Sequence, residues 1–89
     1  MSDSTELDPE AVRIGATIRA LREALGWRRG QLVAAVGKSY AYLCNVEAGR
    51  KRCTPQLARQ IADALGVPVG AIVSPAYDTE ALIEEARPA

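Results

Sequence analysis

Residues 28–49, RRGQLVAAVGKSYAYLCNVEAG, read as two short helices joined at a glycine, and the basic triplet Arg50-Lys51-Arg52 follows at once. In the first helix Leu32, Val33 and Val36 share an inward face, and Gly37 ends it. A residue without Cβ reaches φ > 0 at no steric cost, so the chain turns sharply there and restarts at Lys38-Ser39, with Ser39 as N-cap. In the second helix Leu43 and Val46, spaced i, i+3, point to the core. Helical spacing then leaves Tyr40, Ala41, Cys44, Asn45 and Ala48 on the opposite face. That stripe lacks the charges of a solvated surface. A small, polar and aromatic mixture on the outside of a helix calls for a partner.

Outward from this stretch the rest of the chain reads as scaffold. A first helix is predicted from Asp8 as N-cap and Pro9 at the first helical position to about Leu25, with Ile14, Ile18, Leu21 and Leu25 on one face and Gly26 as the stop. Arg13, Arg19, Arg22 and Glu23 fall off that face. Arg19 and Arg22 read as solvated or ion-paired surface residues, with a lateral contact to a ligand as the second reading. Beyond the triplet, Thr54 caps a helix that starts at Pro55, repeats Leu57, Ile61 and Leu65 every fourth residue and closes at Gly66. Val67, Pro68, Val69, Ile72 and Val73 suggest a short fifth helix that seals the bundle. The segment Asp78 to Ala86 reads as an acidic helix or a frayed tail, with Ala81, Leu82 and Ile83 as its apolar content. The expected fold is all-α, a compact five-helix bundle with a possible short C-terminal helix. Its expected divisions are an acidic N-terminal tail (1–8), the domain (9–74) and an acidic C-terminal tail or short helix (75–89).

Composition agrees with one small globular domain: 89 residues, 48% hydrophobic and 25% charged. Phe is absent and Trp27 is the single tryptophan, so the core falls to Leu, Ile, Val and Ala, which favours packed helices. The net charge of zero conceals a segregation. Asp3, Glu6, Asp8 and Glu10 make the first ten residues acidic, and Asp78, Glu80, Glu84 and Glu85 outnumber Arg87 at the other end. Between them, residues 11–75 hold ten Lys or Arg against Glu23, Glu47 and Asp63, the electrostatic footprint of a nucleic-acid binder. No apolar run approaches the roughly 18 residues that cross a bilayer, and the acidic start is no signal peptide. The expected location is the cytoplasm, nucleoid-associated when bound to DNA, with no membrane contact.

The chemistry-bearing residues point away from catalysis. There is no His, no glycine-rich phosphate loop and no pairing of carboxylates in an apolar pocket, so neither an enzyme nor a cofactor is expected. Cys44 and Cys53 lie nine apart without a Cys-x-x-Cys, which argues against a metal site and against a disulfide. Cys53 reads as packing before the Thr54 cap. Cys44 reads as a small residue fitted to the outer stripe, with a redox switch as the alternative.

Two helices about a tight turn, the second followed by cations, are the layout of a helix-turn-helix whose second helix enters the major groove of double-stranded DNA. The candidate base-reading residues are Tyr40, Ala41, Cys44 and Asn45. Asn45 has the amide to pair with adenine N7 and N6, Ala41 offers a methyl contact to thymine, and the Tyr40 ring suits a thymine methyl or a sugar. The candidate phosphate-binding residues are Arg28, Arg29, Lys38, Ser39, Tyr42, Arg50, Lys51 and Arg52. Tyr42 is equally readable as packing beside the first helix. Arg28 and Arg29 lie at the positive end of their helix, where N–H groups also meet anions, with both or only one aimed at DNA. Glu47, an acid in a basic zone, reads as paired with an arginine or bonded to a backbone N–H.

IGATIRALREALG (14–26), Leu32-Val33 before Gly37, SYAYLCNVEAG (39–49) and TPQLARQIADALGVPVGAI (54–72) together resemble the Cro and lambda-repressor type of helix-turn-helix domain, the Xre-like family, over about residues 12–73. The resemblance implies a five-helix domain that binds operator DNA, commonly as a dimer, with its third helix in the major groove. It places Tyr40, Ala41, Cys44 and Asn45 at the family's variable base-contacting positions and Glu47-Ala48-Gly49 at its usual Glu-x-Gly ending. Two features depart from the pattern. Arg28-Arg29 stand where Ser or Thr followed by Gln usually opens the second helix, and Gly30 lies inside that helix at an expected cost of about 1 kcal/mol relative to Ala. The expected function is a sequence-specific transcriptional regulator, a repressor, acting as a homodimer on an inverted-repeat operator. Val69, Ile72, Val73 and the Leu82-Ile83 pair are the candidate interface, those of the fifth helix serving the core in the alternative. The competing function is a protein-interaction module, such as an antitoxin or an immunity factor, that meets its partner through the C-terminal tail.

Overall fold

In the computed structural model, residues 7–77 and 79–86 are described, and each of the first four helices begins where a side chain supplies the missing partner of a free N–H. Helix α1 (Pro9–Ala24) starts with the Asp8 carboxylate accepting from the Glu10 N–H at 3.2 Å. Helix α2 (Arg29–Val36) starts one residue later than the sequence suggests, with Arg28 in the N-cap position. Its cap comes from the other direction: the Gln31 amide oxygen accepts from the Arg28 N–H at 2.8 Å. Ser39 Oγ accepts from the Tyr42 N–H at 3.0 Å to open α3 (Tyr40–Glu47), and Thr54 Oγ1 accepts from Leu57 N–H at 3.1 Å to open α4 (Pro55–Leu65). The sealing helix α5 is one turn, Gly70–Val73, and α6 spans Thr79–Ala86. Of the acidic tails, residues 1–6, Asp78 and residues 87–89 lie outside the described residues.

The core is the one the periodicities mark. Ile18, Leu21, Leu32, Leu43, Val46, Leu57 and Ile61 are buried, and Leu25, Val33 and Trp27 pack against them part-buried. Ile72 is fully buried, so it belongs to the core and is removed from the candidate dimer interface. Leu82 and Ile83 also pack on the core, where α6 meets α1, which settles the tail segment as a helix rather than a frayed end. Val69, by contrast, is 39% exposed. Arg13 ties the ends of the bundle together: one of its guanidinium nitrogens donates to the Val73 carbonyl at 2.8 Å and to Glu10 at 2.7 Å.

What positions α3 is an unusually close crossing with α1. A Cβ on Gly15 would fall on the Val46 carbonyl oxygen and within 2.8 Å of the Glu47 carbonyl oxygen, so only glycine permits this approach. Gly49, just past α3, adopts φ +84°, and a Cβ there would lie 2.8 Å from Val12 Cα. Gly30, where the sequence shows a helix-weakening glycine, has open space around it. Two substitutions therefore have opposite signs. Urea denaturation should show Gly15→Ala destabilised by about 2 kcal/mol or more through backbone overpacking, while Gly30→Ala gains about 0.5–1 kcal/mol of helix stability.

Candidate nucleic-acid interface

Glu47 closes α3 with a carboxylate that is almost wholly removed from water, its side chain 2% exposed. The charge is met from two sides. Arg22 of α1, itself 5% exposed, grips it with both faces of its guanidinium, Nε to Oε2 at 2.8 Å and Nη2 to Oε1 at 3.2 Å. Arg29 of α2 adds Nε to Oε1 at 3.0 Å. A third arm of Arg22 donates to the Trp27 carbonyl at 2.9 Å, in the link between α1 and α2. A buried ion pair is tolerable when its remaining donors and acceptors are filled, and here no buried side-chain polar atom among the described residues lacks a partner. The network therefore fixes the end of α3 to α1 and α2 together.

This arrangement bears on two expectations. Arg22 is ion-paired, as one of its readings had it, but buried rather than at the surface. The signal was present, since it lies four residues after Ile18 on the flank of the apolar stripe, but its partner is 25 residues away and invisible to local spacing. Arg29, read together with Arg28 or alone as a phosphate contact, has its guanidinium turned to Glu47 and to the Tyr40 hydroxyl, 3.3 Å from Nη1, with Cζ 5.7 Å from the Tyr40 ring centroid. The hydrogen bond to Tyr40 and then that to Glu47 raise its pKa, so its charge is held at any working pH. Arg28 itself is exposed.

The remaining candidates gather around α3. Tyr40 is 53% exposed, Ala41 and Ala48 are exposed, and Cys44 and Asn45 are half-buried. Asn45 accepts through Oδ1 from Arg50 Nη1 at 3.3 Å, which orients its amide. Tyr42 packs against the core, and its ring carries Lys38 Nζ at 5.7 Å and Lys51 Nζ at 5.6 Å. Cation–π attraction thus draws a lysine from before α3 and one from after it to a single ring. Ser39 spends its hydroxyl oxygen on the cap, and Arg52 is exposed. Away from α3, the Arg19 hydrogen bond and charge hold the exposed Glu23 carboxyl below its usual range. Burial pushes the Cys53 thiol up to about 11, as expected of a packed, inert cysteine beside the Thr54 cap. No group of His, Cys, Asp and Glu among the described residues is arranged to hold a metal, and no described helix is long and apolar enough to cross a membrane.

An all-helical bundle in which two short helices meet at a glycine and the second holds an uncharged outward stripe between cations is a helix-turn-helix unit. The chain belongs to the helix-turn-helix domain family, whose sequence model matches residues 13–72. It is 38% identical over 56 residues to an uncharacterized HTH-type transcriptional regulator of Mycobacterium tuberculosis and, equally, to one of Mycobacterium bovis. The match takes in 63% of this chain but 22% of those relatives. The fold is similar to the restriction-modification controller protein C.AhdI of Aeromonas hydrophila (TM-score 0.70, 25% identity, 73% of this chain and 98% of that one). The clp gene regulator ClgR of C. glutamicum is alike to the same degree (TM-score 0.70, 29% identity, 73% and 84%). A hypothetical transcription factor from Neisseria shares the fold over 92% of this chain and 88% of its own (TM-score 0.69, 24% identity).

The Glu47 network carries a stability signature. Glu47→Ala leaves Arg22 buried without its anion and should cost about 3–5 kcal/mol in urea denaturation. The double replacement Arg22→Met with Glu47→Leu, apolar on both sides, should cost clearly less than Glu47→Ala alone, a non-additivity that independent sites do not show.

Proposed function

We propose that the chain binds double-stranded DNA in a sequence-specific manner as a transcriptional regulator, with α3 in the major groove. The observation that carries this reading is the setting of α3: Tyr40, Ala41 and Asn45 on a helix fixed to two others by a buried carboxylate, with cations before and after it. Rigid presentation of polar and apolar groups to base edges, flanked by phosphate-seeking charges, is what direct readout requires. Family membership and the transcriptional regulators among its relatives support the same reading.

Within it, Asn45 pairs with adenine through its amide, Tyr40 and Ala41 contact the neighbouring bases, and half-buried Cys44 supplies a close-fitting small surface. Arg28, Lys38, Ser39, Tyr42, Arg50, Lys51 and Arg52 serve the phosphates on either side. The chain acts as a repressor by occupying its operator. It does so as a homodimer on an inverted repeat, and exposed Val69 is the interface candidate that the core leaves available.

Selection from a random-sequence duplex library at about 150 mM salt, where phosphate-only binding is weak, tests this directly. An enriched inverted repeat with half-site centres about 10 bp apart is expected. Asn45→Ala should then relax preference at one position per half-site by about 1–3 kcal/mol. Arg28→Gln should lower affinity on every sequence alike and flatten log K against log[salt] by about 0.9. Recovery of no motif contradicts sequence-specific reading by the protein alone.

A further inference from the structure

We propose that Arg29 is a specificity-positioning residue: it holds the Tyr40 phenol so that this group presents an O–H donor, rather than an acceptor, to the base edge it meets. The proposal rests on the DNA-reading function above. Its basis is a continuous relay from the core to the reading surface. Arg22, buried, holds Glu47; Glu47 holds Arg29 through Nε at 3.0 Å; Arg29 holds the Tyr40 hydroxyl through Nη1 at 3.3 Å. The last member of the relay is 53% exposed, whereas the first is 5% exposed.

The chemistry of the final link is directional. A guanidinium has only donors, so in this contact the Tyr40 oxygen accepts. One lone pair is thereby filled, and the fixed positive charge beside the oxygen opposes the approach of a second donor hydrogen. What remains to the phenol is its own O–H. In the major groove that hydrogen suits purine N7, guanine O6 or thymine O4, and it opposes cytosine, whose N4 amino group only donates. A free tyrosine on a helix surface carries no such bias, because its hydroxyl rotates to suit either partner. Arg29 thus sets which bases Tyr40 accepts without itself reaching the base. Lysine does not replace it, since a point charge on Glu47 has no planar fork with which to reach the phenol at the same time.

The test repeats the library selection with the full chain and with Tyr40→Phe, Arg29→Lys and the double variant. The wild-type motif should exclude cytosine at one position per half-site. Each single variant should admit it there with a preference reduced about 5-fold, the size of one hydrogen bond. The double variant should go no further, and the salt slope of Arg29→Lys should equal that of the wild type, because charge is conserved. A merely structural Arg29 weakens all sequences by one factor and leaves the motif unchanged, and that result overturns the proposal. Should Arg29→Lys fail to fold, Tyr40→Phe decides: its side chain is largely in solvent, and persistent exclusion of cytosine overturns the proposal equally. A wild-type selection without any motif overturns the DNA-reading function and this proposal with it, whereas a wild-type motif that both variants reproduce overturns this proposal alone.

Discussion

The orientation of α3 depends on one carboxylate that water does not reach. Glu47 takes two hydrogen bonds from Arg22 and one from Arg29, and through them the end of α3 is bound to the far end of α1 and the start of α2. A buried ion network of this kind is a costly way to gain stability, because the desolvation of each charge offsets much of the attraction. Its return is directional. Apolar packing of Leu43 and Val46 alone holds a helix down and leaves its rotation loosely defined, while a bidentate arginine admits one geometry. Gly15 completes the constraint by letting the α1 backbone come against the last carbonyls of α3.

The positive charges of the folded middle divide into those engaged with carboxylates and those left exposed. Arg13, Arg19, Arg22 and Arg29 are engaged with Glu10, Glu23 and Glu47. Arg28, Lys38, Arg50, Lys51 and Arg52 are exposed at the start of α2 or immediately before and after α3, and Arg59 is exposed on α4. A chain with formal net charge zero therefore presents a cationic frame around an uncharged stripe. That is the division of labour in DNA reading, where phosphate contacts fix the register and base edges carry the sequence.

Much of this was legible in the residues. The caps Asp8, Ser39 and Thr54, the glycine stops and the four-residue repeats place α1, α3 and α4 to within a residue, because each of these signals is local. The outer stripe of α3 follows from its two inward residues. What the residues did not reveal is the partner and the burial of two arginines. Arg22 and Arg29 are charged residues near helix ends, and nothing within one helical turn reveals that their shared partner lies 25 and 18 residues on. The cap of α2 was missed for a related reason: the sequence lacks the usual Ser or Thr at position 28, and the Gln31 side chain closes the turn from inside the helix. Gly15 carries no local signal, because what requires a glycine there is the backbone of α3 lying against it. Long-range pairing and backbone proximity are properties of the fold, not of local pattern.

On the proposed function, α3, held by Glu47, is the surface that meets DNA. The most direct measurement is an NMR titration of isotopically labelled protein with its selected duplex, following backbone amides and the side-chain resonances of Arg22, Arg29 and Asn45. The largest changes are expected at residues 28–29, 38–45 and 50–52, with the Arg22 guanidinium signals unmoved as the lock stays closed. Changes confined to α5 and α6, or a loss of the Arg22 signals on binding, would contradict it.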